Sequence, residues 1–171
     1  MIMLDFEKHP IKIQHINVRD EHHGEVTVIV LDLKITTDVP NTALDRLSPT
    51  LRESLFAPDP KLGNLLDDGH RPHVKNPELG TLKWAGKFGP VSLYLHLGQK
   101  AKDDIMMVEA TADNILIDPK EGGTCAVTMR LQVRPTVNER GRLTDYLRQE
   151  IKGTLNASEA VDVTNGDADD E

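Results

Sequence analysis

The sequence predicts an α+β fold: a twisted, mainly antiparallel sheet with short helices after the second strand and a C-terminal amphipathic helix. Three observations predict it. Cys125, Val127, Met129, Leu131 and Val133 alternate with Thr128, Arg130, Gln132 and Arg134, the period-2 pattern of a strand with one buried face. Val91, Leu93, Leu95 and Leu97 alternate in the same way with Ser92, Tyr94 and His96. Leu143, Leu147 and Ile151 instead recur every four residues, the spacing of one helix face. Strands, then short helices, then strands and a last helix read as α+β with an antiparallel sheet.

From the N-terminus, Ile11 to Val18 is the first strand, and its apolar phase shifts between Ile13 and Ile16, which predicts a bulge or strong twist. Arg19 to Gly24 turns into a long strand, Gly24 to Thr37. There Thr27, Ile29, Leu31, Leu33 and Ile35 make one apolar face, while Val26, Val28 and Val30 keep the other apolar only as far as Asp32 and Lys34. The first half of this strand is therefore expected to be covered on both sides, by a helix or a second subunit, and its second half wet. Past Pro40, Leu44, Leu47, Leu51 and Leu55 have helical spacing interrupted by Pro49. Ser48 before Pro49 reads as an N-cap with proline at the first helical position, so two short helices are predicted.

Residues 57–80 hold Pro58, Pro60, Pro72 and Pro77 with no sustained period, which predicts a long mobile loop. Strands resume at Thr81 to Ala85 and Val91 to Leu97, with Gly86, Gly89 and Pro90 supplying the bend. Ile105 to Val108 and Asn114 to Ile117 are one bent strand or two, and Asp118 to Gly123 has hairpin turn chemistry. The terminal helix is placed at Arg142 to Lys152, with Gly153 as its stop. Residues 1–155 form a single domain, and 156–171 a polar, acidic tail that does not fold alone.

The chain of 171 residues carries 20 Lys and Arg against 28 Asp and Glu, but the excess is local. No basic residue follows Leu155, where Glu159, Asp162, Asp167, Asp169, Asp170 and Glu171 lie. The body is near neutral, which argues against bulk electrostatic binding to duplex nucleic acid and leaves room for a local basic stripe. The single Cys125 forms no internal disulfide, no apolar run is long enough to span a bilayer, and the first residues lack a secretory signal pattern. A cytoplasmic protein without a membrane partner is expected.

Candidate chemistry is sparse. Asp67, Asp68, His70 and His73 put oxygen and imidazole donors within one loop, the residue types of a metal site, although their spacing matches no defined motif. Cys125 shares the buried phase of Val127 and Met129, where thiols are packing groups. No serine sits in a nucleophile elbow, and Gly122–Gly123 lacks the lysine and spacing of a phosphate loop. No cofactor is implied, and the chain is expected not to be an enzyme. Lys83, Tyr94, His96, Arg130 and Arg134 all fall on the polar side of their strands, combining cations with a stacking ring as single-strand binders do.

The stretch Ile115 to Val133, with its Ile-Asp-Pro turn, Gly122, Gly123 and the alternating strand that follows, resembles small uncharacterised bacteriophage accessory proteins. That resemblance implies no activity and carries over no functional residues. The leading expectation is a non-enzymatic protein-binding or assembly module that self-associates as a homo-oligomer. The alternative is a single-stranded nucleic-acid binding accessory protein with an acidic tail and the five polar-face residues as its contact surface.

Overall fold

Amphipathic strands can hide their apolar faces beneath helices or against one another. Here the helices are too few and too short for the first solution: 54% of the described residues are in strands, and the longest helix among them has nine residues. The sheet therefore covers its own apolar face by closing. In the computed structural model, which describes residues 3–61 and 69–165, the strands are β1 (Phe6–His23), β2 (Val26–Pro40), β3 (Phe56–Ala57), β4 (His73–Val74), β5 (Leu82–Trp84), β6 (Phe88–His96), β7 (Ile105–Lys120), β8 (Thr124–Val133), β9 (Glu150–Asn156) and β10 (Val161–Asp162). Six of them form a closed antiparallel barrel in the order β6-β9-β1-β2-β8-β7, completed by β7 pairing back onto β6. This corrects the open twisted sheet of an α+β fold.

The interior is filled by the inward phase of each strand, including Ile13, Leu33, Ile35, Leu93, Leu95, Ile115, Val127, Leu131 and Leu155, all nearly without solvent contact. A six-stranded barrel has no room for more than side chains. Leu44, Leu47, Leu55 and Phe56, from the segment after Pro40, join the same core. As predicted, two short helices stand there, a 3-10 turn at Asn41–Arg46 and α1 (Leu51–Leu55).

Three strands keep their alternation only by bulging. The register of β1 against β2 slips between Ile13 and His15, where the apolar phase breaks in the sequence. In β7 the inward residues run Ile105, Met107, then Ala110, Ala112, then Ile115, Ile117. Each jump contains a residue in the left-handed region, Glu109 at φ 56° and Asn114 at φ 48°, so β7 is one strand whose phase is reset twice. In β6 the pairing with β7 shifts on either side of Val91.

Two elements differ from their sequence reading. The C-terminal helix is α2 (Val137–Asp145), opened by a capping box of Thr136 and Glu139, and it ends before the predicted Arg142 to Lys152 span is half complete. Leu143, Leu147 and Ile151 all reach the core, but from a helix, a turn and a strand respectively. Gly153 lies inside β9 with Ile11 packed over it, so the helix stop is a barrel strand. Beyond Asn156, Ala157 is buried and β10 pairs with the first residues of β6, so ordered pairing continues past the predicted domain end at 155. Among the described residues no helix is long and apolar enough to cross a membrane.

Of the two covers expected for the first half of the long strand, a helix or a second subunit, no helix among the described residues supplies one. β9 pairs with β1 only as far as Lys12, and β8 pairs with β2 only from Leu31 onward. Past those points β1 and β2 continue together to the turn at Gly24 as a two-stranded arm that leaves the barrel. The first half of β2 is therefore uncovered, with Val26 61% exposed and Val18 on β1 equally so. Only Val30, opposite Arg19, is fully enclosed there.

Candidate binding surfaces

Closing the sheet distributes the polar face around a ring, and the five residues predicted to share a contact surface separate into three groups. Tyr94 and His96 are on β6, three strands from β2 in either direction and so on the opposite wall. His96 is engaged there: its Nδ1 lies 3.0 Å from Asp104 Oδ2 and its Nε2 2.8 Å from Thr154 Oγ1. Arg134 sits at the root of the arm, where its Nη2 donates to Glu21 Oε2 at 2.8 Å. Only Lys83 and Arg130 come together.

Where they meet, the outer wall of β1, β2, β8, β7 and β5 holds an open cleft of about 430 Å³. Its lining follows from register. His15 pairs with Lys34, Lys34 with Arg130, and Arg130 with Asp113, one ladder row across four strands. One step along, Thr128 pairs with Leu116 and Leu116 with Lys83. The bulge at Asn114 turns Leu116 outward between two inward isoleucines, which puts an apolar patch among the cations.

The charges in this wall are partly matched. Arg130 holds Asp113 in a two-pronged ion pair, Nε donating to Oδ1 at 2.7 Å and Nη2 to Oδ2, an arrangement that raises the arginine above its ordinary pKa. Asp32 is 8% exposed and accepts from Arg19 Nε at 2.9 Å through Oδ2, while its Oδ1 is buried with no hydrogen-bond partner among the described residues. Lys34 and Lys83 are exposed and make no ion pair among the described residues. Sequence reading missed Asp32, Lys34, His15 and Leu116 as neighbours of Lys83 and Arg130. The polar phase of Asp32 and Lys34 was visible, but the β2–β8 pairing that sets them beside Arg130 joins residues about a hundred positions apart.

Of the predicted metal loop, His70 and His73 fall among the described residues. Asp67 and Asp68 lie outside the described residues. His70 is exposed on the loop, and His73, on β4, has its Nδ1 3.2 Å from Glu121 Oε2 and its Nε2 3.8 Å from Asp59 Oδ1. Glu121 also accepts from the Val74 N–H at 2.8 Å, and this backbone bond, then His73, holds its carboxyl below the usual range. Among the described residues no three His, Cys, Asp or Glu side chains gather in a way that could hold a metal ion. Cys125 is fully buried, and desolvation, with Asp118 adding to it, pushes its thiol up to about 12, so it stays protonated as a packing group.

The second surface is the arm. At its root Arg19 bridges Asp32 and Glu21, and Glu21 joins Arg134 of β8. These contacts lower the Glu21 carboxyl pKa, Arg134 contributing most. Beyond them, among the described residues, both long edges of the hairpin are unpaired. Comparison with family models, with curated proteins and with solved structures finds no match to this chain.

Proposed function

We propose that this protein is a non-enzymatic assembly module that associates with copies of itself through the β1–β2 arm. The observation that carries this reading is the arm's geometry: two paired strands leave the barrel with both edges bare among the described residues and with Val18 and Val26 each 61% exposed. A lone two-stranded ribbon is at best marginally stable in water, and unpaired strand edges are ready templates for another chain. Natural proteins blunt such edges or use them. The ion pairs at the root support use, because they fix the arm's direction without covering its tip. A near-neutral body with an unreactive, buried thiol suits a cytoplasmic module of this kind.

The test is sedimentation equilibrium over a wide concentration range on the full chain and on a chain in which residues 20–29 are replaced by an Asn-Gly turn. The full chain is expected to be oligomeric and the shortened one monomeric, with unchanged β-sheet circular dichroism. A full chain that is monomeric throughout would sink the proposal. So would a shortened chain that still assembles, which would move the interface elsewhere, for instance to the exposed Met106 and Val108 beside Tyr94.

A further inference from the structure

We propose that the cleft on the β1-β2-β8-β7-β5 wall binds single-stranded nucleic acid, with Asp32 Oδ1 accepting a hydrogen bond from the exocyclic amino group of an unpaired base. This inference is independent of the arm. It starts from the one buried polar side-chain atom among the described residues that lacks a partner. A buried carboxylate oxygen without a donor costs free energy, and a ligand that supplies the donor recovers it.

The surroundings say what else that ligand carries. Arg19 matches Asp32 and Arg130 matches Asp113, so Lys34 and Lys83 are the surplus charge of the wall. A ligand with both an N–H donor and negative charge answers the two together. The cations are spread from Lys34 on β2 to Lys83 on β5, three strand spacings or about 14 Å, across an open cleft whose lining runs from β1 to β5. That shape suits a linear polyanion better than a small zwitterion, which would need an enclosed site. Leu116, outward and half-buried between the rows, offers an apolar surface for the face of a base.

Asp32 also gives the site a preference. With Oδ2 held by Arg19, a single oxygen remains, which takes one donor hydrogen. The amino groups of cytosine and adenine present one, as carboxylates use on cytosine N4 elsewhere. Thymine and uracil present a carbonyl oxygen at the same position, which a carboxylate repels. Oδ1 is shut off from solvent beside Asn17 and Gln132, its partners in the ladder. Both are incompletely buried, and admitting the base takes a side-chain rotation of the kind that partly exposed residues make.

The experiment is fluorescence anisotropy with labelled oligo-dC and oligo-dT at pH 8 and low salt, using the full chain. Oligo-dC is expected to bind about tenfold tighter than oligo-dT, the worth of one hydrogen bond to a charged group. In Asp32→Asn, Arg19 keeps an oxygen acceptor and the freed amide becomes a donor, so the preference is expected to vanish or invert. The surface pair Lys34→Glu with Lys83→Glu is expected to weaken both oligonucleotides alike, keep their ratio, and reduce the slope of log affinity against log salt by about two. Equal binding of the two oligonucleotides, no binding at low salt, or an unchanged ratio in a folded Asp32→Asn would overturn the proposal. Deoxycytidine monophosphate competing as well as the oligomer would overturn the assignment to a strand.

Discussion

A β-carbon built on Gly153 would lie 2.6 Å from Ile11 Cδ1 and 3.2 Å from Cγ1. This glycine is present for closeness, because β1 can meet β9 here only if Ile11 occupies the space of the missing side chain. Gly153→Val is expected to cost about 1–3 kcal/mol through overpacking and to lower the melting temperature by several degrees, with Gly153→Ala milder because the end of Ile11 can turn aside. Differential scanning calorimetry of the two variants checks both the direction and the order. At the root of the arm, Arg134 and then Arg19 hold the Glu21 carboxyl below its ordinary value of 4.5. The stability this supplies is complete above the unfolded value and is lost as pH falls through the lower folded one. Glu21→Gln should therefore melt earlier than the parent at neutral pH, and the gap should close in acid; a gap that is constant with pH would show that Glu21 does not couple its charge to folding. At this scale the sequence was informative about burial. The inward phase of Cys125 and the outward phases of Lys83 and Arg130 follow directly from alternation, whereas the orphaned oxygen of Asp32 depends on which strand lies beside it.

Elements whose pattern is uninterrupted were legible. The Cys125 to Val133 strand, the hairpin turn before it and the break in phase of the first strand stand where the residues placed them, and two short helices follow Pro40, although the second is capped at Thr50 and begins at Leu51, not at Ser48 and Pro49. β9 was hidden for a physical reason. Ile151, Leu155 and Ala157 have a strand's alternation, but the inward position between them is Gly153, and without a side chain there the period disappears. Leu143, Leu147 and Ile151 then fit a helix equally well. The Thr136 and Glu139 capping box, which opens six positions before the predicted start, is the local signal that places α2 correctly. In the first half of β2 an apolar pair of faces implied cover by a helix or a second subunit, and among the described residues those faces belong to the arm, with no helix over them. The same observation is what suggests that another copy supplies the cover.

For the whole molecule, antiparallel alternation fitted an open sheet and a closed one equally, and the choice turned on how little helix there is to lie across an open sheet. The cleft was illegible for the same reason. Its cations come from three strands whose neighbours are known only once the ring is closed. Closure itself rests on β9, the last of the six barrel strands in the chain, which fits between β6 and β1 and brings Lys8 N–H to within 3.0 Å of Thr154 Oγ1, 146 positions away. During synthesis, then, the other five strands emerge before the one that joins their ends. Until it arrives they are a curled sheet with two naked borders and an oily inner surface open along one side, the kind of species that aggregates. A chain stopped ahead of Glu150 is expected in the insoluble fraction of an expression lysate, and a synthetic peptide spanning 148–157, supplied during refolding, is expected to return part of it to solution. The protein is thus most vulnerable in its unfinished form, for as long as a seam ten residues wide stands open.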